Sequence, residues 1–88
     1  MARTERNSPA ESVSSWPTEV SDDAAVETAR QFVLNVRAAM GSKSIRLLAD
    51  AAGLDEKTIR KTLSGESWPD LRTIARLEDA LGANLYPH

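Results

Sequence analysis

From position 24 onward the apolar residues of this chain return every third or fourth position. Val26, Ala29, Val33, Val36 and Met40 form the first series. That spacing lays them along one face of an α-helix. Three shorter series follow: Ile45, Leu48, Ala49 and Ala52; then Ile59, Thr62 and Leu63; then Leu71, Ile74, Leu77 and Leu81. None alternates with the period of two that marks a strand. The first series spans too few heptads for a coiled coil and reads as a core-facing helix. The pattern predicts an all-α chain.

The boundaries agree with the pattern. Ser44, Asp55 and Asp70 each stand just before a series, where a side-chain oxygen accepts from an orphaned N–H of the first turn. Gly41, Gly53, Gly65 and Gly82 each fall where a series ends, which makes four stops and four helices. Pro87 prevents further helix, and Leu85 and Tyr86 are placed to cover one end of the core. Between the second and third series Gly53 closes one helix, Leu54 is the apolar residue of a tight turn, and Asp55 opens the next. Two short helices therefore meet at a steep angle, a helix-turn-helix. Leu48, Ala49, Ile59 and Thr62 are expected to face inward. Lys57 and Lys61 then share an exposed face with Glu56, Arg60 and Ser64 beside them. A protruding helix of this kind fits a B-DNA major groove about 12 Å wide.

Residues 44–82 resemble the helix-turn-helix domain of phage-repressor, Cro and XRE-type transcriptional regulators. The likeness lies in LADAAGLDEKTIRKTLSG (48–65), with Ala49, Gly53 and Ile59 at the family's spacing, and in WPDLRTIARLEDALG (68–82), which resembles its fourth helix. The resemblance implies a lambda-repressor-like fold, a compact bundle of four to five short helices. It also implies a sequence-specific regulator of transcription acting as a repressor, bound to double-stranded DNA as a homodimer with helix 55–64 in the major groove. Carried over position by position, the base readers are Glu56, Lys57 and Lys61, with Arg60 a base or phosphate contact. Lysine donates to guanine, and Glu56 either accepts from cytosine or repels phosphate. Ser44 and the amides opening the second helix match a phosphate clamp, since a helix N-terminus offers unpaired N–H groups to an anion. Lys43, Arg46, Thr58, Ser64 and Ser67 are further phosphate candidates. Ile45 departs from the family, many of whose members place glutamine there.

Composition narrows the alternatives. The chain has 88 residues, 41% hydrophobic and 27% charged, with net charge -2 and no cysteine. That is enough for one core, and it excludes disulfides and thiolate metal sites. Without an apolar run of about 18 residues or a secretory leader, neither membrane nor export is expected, and the chain reads as cytoplasmic. Residues 1–23 are rich in Ser and Pro and set two arginines, Arg3 and Arg6, against five carboxylates, so the acidity lies there and residues 24–88 carry +1. This stretch is expected to be a disordered tail preceding a DNA-binding domain at 24–88. Val13, Trp16 and Val20 leave open that it packs on the domain or on a partner. Residues 43–65 hold five cations against three carboxylates, a mild footprint that favours two copies acting together.

Catalysis finds no machinery here. His88 is the sole histidine, and the carboxylate pairs Asp22–Asp23 and Glu78–Asp79 are adjacent in sequence and diverge on a helix. GSKS at 41–44 lacks the glycine–lysine pair of a phosphate loop. No cofactor or metal is expected. Trp68 is read as a plug over the join of the third and fourth helices, and Arg72 and Arg76 as surface ion-pair partners of Glu78 and Asp79. The rival function is a protein-interaction module of the same fold, such as an antitoxin that meets a toxin or another regulator.

Overall fold

Four α-helices occupy the four apolar series. The computed structural model describes residues 8–87, in which a 3-10 turn at Pro9–Ser12 precedes α1 (Ala24–Met40), α2 (Ile45–Ala52), α3 (Glu56–Leu63) and α4 (Leu71–Leu81). Met1 to Asn7, with Arg3 and Arg6, and also His88 lie outside the described residues. No strand occurs among the described residues, so the fold is all-α.

The helix starts follow from side-chain chemistry. The Asp23 carboxylate accepts from the N–H groups of Ala25 and Val26 at 2.9 and 3.1 Å, opening α1. Ser44 Oγ accepts from Leu47 N–H at 3.1 Å, and the Asp70 carboxylate from Thr73 N–H at 2.7 Å. The Thr73 N–H, and then its hydroxyl, hold the Asp70 carboxyl below its ordinary range. Asp55 is the exception to the expected caps. It occupies the N-cap position of α3 with extended backbone, but its side chain makes no capping bond. Asp55 is exposed, so water is available to the first-turn amides of α3.

The corner between α2 and α3 is closed by its backbone. Leu54 N–H donates to Ala49 O at 3.0 Å and Gly53 N–H to Asp50 O at 3.4 Å, the paired bonds of a Schellman stop. Gly53 has φ +67°, a conformation that residues with a Cβ rarely adopt. Leu54 tucks against the core.

That core joins Phe32, Val33 and Val36 of α1, Leu48, Ala49 and Ala52 of α2, Ile59 and Leu63 of α3, Leu77 of α4, and Leu85. Phe32 widens the α1 stripe beyond the spacing read from sequence, as a core-facing helix with a broad apolar face requires. α2 packs on both α3 and α4. The small Ala49 and the fully buried Ile59 stand where the two motif helices meet. Leu71 departs from its series. It is 83% exposed, because the first turn of α4 begins outside the core.

Residues 8–23 differ from the expected disordered tail. Pro9 is buried, the 3-10 turn lies against α1, and Trp16 packs on the core. Part of the reason is electrostatic. Arg30 is only 9% exposed and donates to both carboxylate oxygens of Glu27, at 2.7 and 2.9 Å, and to Pro17 O at 3.1 Å. Glu27 in turn accepts from Ser21 N–H at 2.9 Å. The pair on α1 thus fastens both ends of the 17–21 segment. Ordering a Ser- and Pro-rich stretch costs entropy that these charge-assisted bonds and the buried Pro9 and Trp16 offset.

Candidate nucleic-acid interface

α3 has two unlike sides. Ile59, Thr62 and Leu63 are buried, whereas Lys57, Arg60, Lys61 and Ser64 are exposed and Glu56 is half-exposed. At about 100° per residue, positions 56, 57, 60, 61 and 64 fall on one arc and 59, 62 and 63 on the other. The corner at residues 53–55 makes this possible, since it turns α3 away from the line of α2 while Ile59 stays wedged in the core.

The outward face is not uniformly basic. Arg60 Nη2 donates to Glu56 Oε1 at 3.1 Å, an ion pair across one turn. Two of the four base-reading candidates are thereby bonded to one another, and the remaining cations on this face are Lys57 and Lys61. Ser64 Oγ is also engaged, with Lys61 O at 3.3 Å and with the Glu66 carboxylate at 3.0 Å.

The phosphate candidates fall into two groups. Lys43, Ser44 and Arg46 are all exposed at the start of α2. Ser44 Oγ serves the Leu47 amide there, and the hydroxyl hydrogen remains able to donate to an anion. Thr58 and Ser67 are half-buried. Thr58 lines a polar cleft with Asp55, Asp70 and Arg72, so two carboxylates share its surroundings.

Three side chains support the motif without belonging to its exposed face. Arg76 Nη1 donates to Ala52 O at 3.3 Å and so braces the end of α2, in place of the surface ion pair expected for it. Glu78, the partner expected for such a pair, accepts from the N–H groups of Leu85 and Tyr86 at 2.8 and 3.0 Å and holds the C-terminal residues. The tryptophan that covers the end of α3 is Trp16, whose Nε1–H donates to Leu63 O at 2.9 Å. Trp68 instead lines an apolar cavity of about 200 Å³ with Phe32 and Ala29 of α1, Ile74 of α4, Pro69 and Tyr86. The indole expected over the α3–α4 join thus serves the α1–α4 side. Trp16 carried a signal in the sequence as an aromatic residue in a Ser- and Pro-rich stretch, but nothing local named its partner.

A steep two-helix corner, a buried inner face and an outward face carrying lysine define a helix-turn-helix protein of the DNA-binding class. The helix-turn-helix family model matches residues 36–86, more than half of the chain, and the chain belongs to that family of XRE- and Cro-type DNA-binding regulators. No curated protein and no solved structure gives a match. Among the described residues no helix is long and apolar enough to cross a membrane.

Proposed function

We propose that this protein is a sequence-specific, double-stranded-DNA-binding repressor of transcription that lays α3 in the major groove and binds as a homodimer in the cytoplasm, without enzymatic activity. One observation carries the reading: within a family-matched corner, α3 buries Ile59 and Thr62 while Lys57 and Lys61 stand exposed a turn apart. Lys57 and Lys61 read base edges, with Glu56 and Arg60 able to join when their mutual bond opens. Lys43, Ser44 and Arg46 hold phosphate at the start of α2, with Thr58, Ser64 and Ser67 as secondary contacts. The motif's charge of +2 supports two-fold binding, because one module neutralises few phosphates and a second doubles the contacts.

A second reading is favoured by the Glu56–Arg60 pair, which removes net charge from the face that would meet DNA. In it the same fold is a protein-interaction module such as an antitoxin.

Selection of bound DNA from a random pool decides between them. The expected result is an enriched palindrome whose half-sites lie one helical turn apart, bound less tightly as salt rises. Replacing Lys57 and Lys61 together by alanine abolishes the selection while circular dichroism stays helical. A pool in which nothing is enriched, together with a protein co-purified from the native operon, supports the interaction module.

A further inference from the structure

α3 is eight residues long, and its main helix-to-helix packing is against α2. Its C-terminal end, where the last carbonyls lack intrahelical partners, is held by other parts of the chain. Leu63 O accepts from Trp16 Nε1–H at 2.9 Å and from Arg37 Nη2 at 3.3 Å. Two residues on, the carbonyl of the buried Gly65 accepts from Ala10 N–H at 3.0 Å. The join is close-packed. A Cβ at Gly65, which has φ +78°, would stand 2.7 Å from Ala10 Cβ and 2.8 Å from the Trp16 ring. The far side of the same segment is fastened to α1 through Arg30 and Pro17 and through Glu27 and Ser21.

We infer that residues 9–21 are a strap that sets the pose of α3, with Trp16 a positioning residue for DNA reading; this rests on the DNA-binding function proposed above. Lys61 belongs to the clamped turn. Its carbonyl accepts from Glu66 N–H at 3.0 Å, and it stands two residues before the carbonyl that Trp16 holds. A shift of about 1 Å takes a donor out of hydrogen-bond range of a base edge, so the end of α3 must be held for Lys61 to discriminate. The DNA-reading unit therefore begins near residue 9, well before the family match at 36–86.

The test uses the full 88-residue chain with Trp16→Ala and with Trp16→Phe, which keeps a ring and loses the donor. Amide hydrogen exchange is followed without DNA, and affinity is measured for a pool-selected site and for mixed-sequence fragments. Trp16→Ala is expected to speed exchange of the 62–67 amides about tenfold or more while α4 keeps its wild-type rates. It lowers affinity for the selected site about tenfold, with mixed-sequence affinity changed by less than about twofold, and Trp16→Phe falls between. Unchanged exchange at 62–67 overturns the strap. Faster exchange with unchanged site affinity overturns the positioning role. So does a loss that strikes α4 and both affinities equally, which marks a residue that only stabilises the fold. If the wild-type chain selects no site, the DNA reading fails and the positioning role with it, while the exchange measurement still decides whether the strap holds α3.

Discussion

Arg60 bonds Glu56 across one turn of α3 at 3.1 Å, so the cation at one proposed base-reading position is neutralised by the carboxylate at another. The pair is exposed on both sides, which makes it easy to open and weak as a source of stability. Under the proposed function its consequence falls on DNA binding, where a freed Arg60 guanidinium is expected to add a phosphate or guanine contact.

Glu56→Gln is therefore expected to tighten binding to mixed-sequence DNA and to steepen the slope of log affinity against log salt by about one contact. Thermal stability changes by no more than about 0.5 kcal/mol. Fluorescence anisotropy across a salt series checks this, and an unchanged slope shows that Arg60 makes no DNA contact.

Ser44 caps α2 and is proposed to hold phosphate, and two substitutions separate the two roles. Ser44→Ala removes the acceptor of Leu47 N–H and costs about 1 kcal/mol of stability. Ser44→Asp keeps a capping oxygen and suits the helix dipole, yet sets a negative charge where phosphate is proposed to lie. The aspartate variant is expected to melt within a few degrees of wild type while losing about tenfold or more in DNA affinity. Equal DNA affinity in both proteins removes the phosphate clamp from the start of α2.

Gly53→Ala forces a Cβ into the left-handed region and to 2.7 Å from Arg76 Nη1, the group that braces Ala52 O. The guanidinium is a flexible end and can move, so the backbone conformation dominates the cost. A loss of about 1–2 kcal/mol is expected, seen as a drop in Tm of roughly 4–16 °C for a domain of this size. Gly82→Ala has no neighbour within 4 Å of its added Cβ and loses only the conformational part. A Gly53→Ala protein as stable as wild type would show that the α2–α3 corner tolerates other backbone geometry.

The Glu27 carboxyl is lowered from 4.5 to about 2, first by its hydrogen bonds from Arg30, then by Ser21 N–H and Gln31. Its folded value lies below its unfolded one, so the stability it contributes is fully present above about pH 5 and is lost as the pH falls through 4.5 towards 2. The gap in Tm between wild type and Glu27→Gln is expected to be constant from about pH 8 to 5 and to close below that. A gap that persists at low pH assigns the effect to packing and not to the charge.

The Glu27–Arg30 and Glu56–Arg60 pairs were within reach of sequence reasoning, since partners three or four apart on a helix are neighbours by construction. Ser44 and Asp70 were readable as caps for the same reason, because each serves an amide three residues ahead. Asp55 holds the same kind of position and makes no such bond, so residue type at a cap permits the interaction without compelling it. Leu71 shows the complementary gap: its place in an apolar series was legible, but the first turn of α4 starts beyond the surface that would cover it.

By itself the sequence determined four helices, the corner between α2 and α3, the inward set around Ala49 and Ile59, and the lysines on the outer arc of α3. All of these follow from chemistry within a turn or two of chain, which periodicity and punctuation encode directly. Only the tertiary structure decided that Trp16 meets Leu63 across 47 residues, that Arg76 holds Ala52, and that residues 8–23 lie on the domain. The carbonyl at the end of α3 and the crevice beside Gly65 are surfaces that come into being when α1, α2 and α3 assemble. A Ser- and Pro-rich segment orders itself once there is such a surface to lie on.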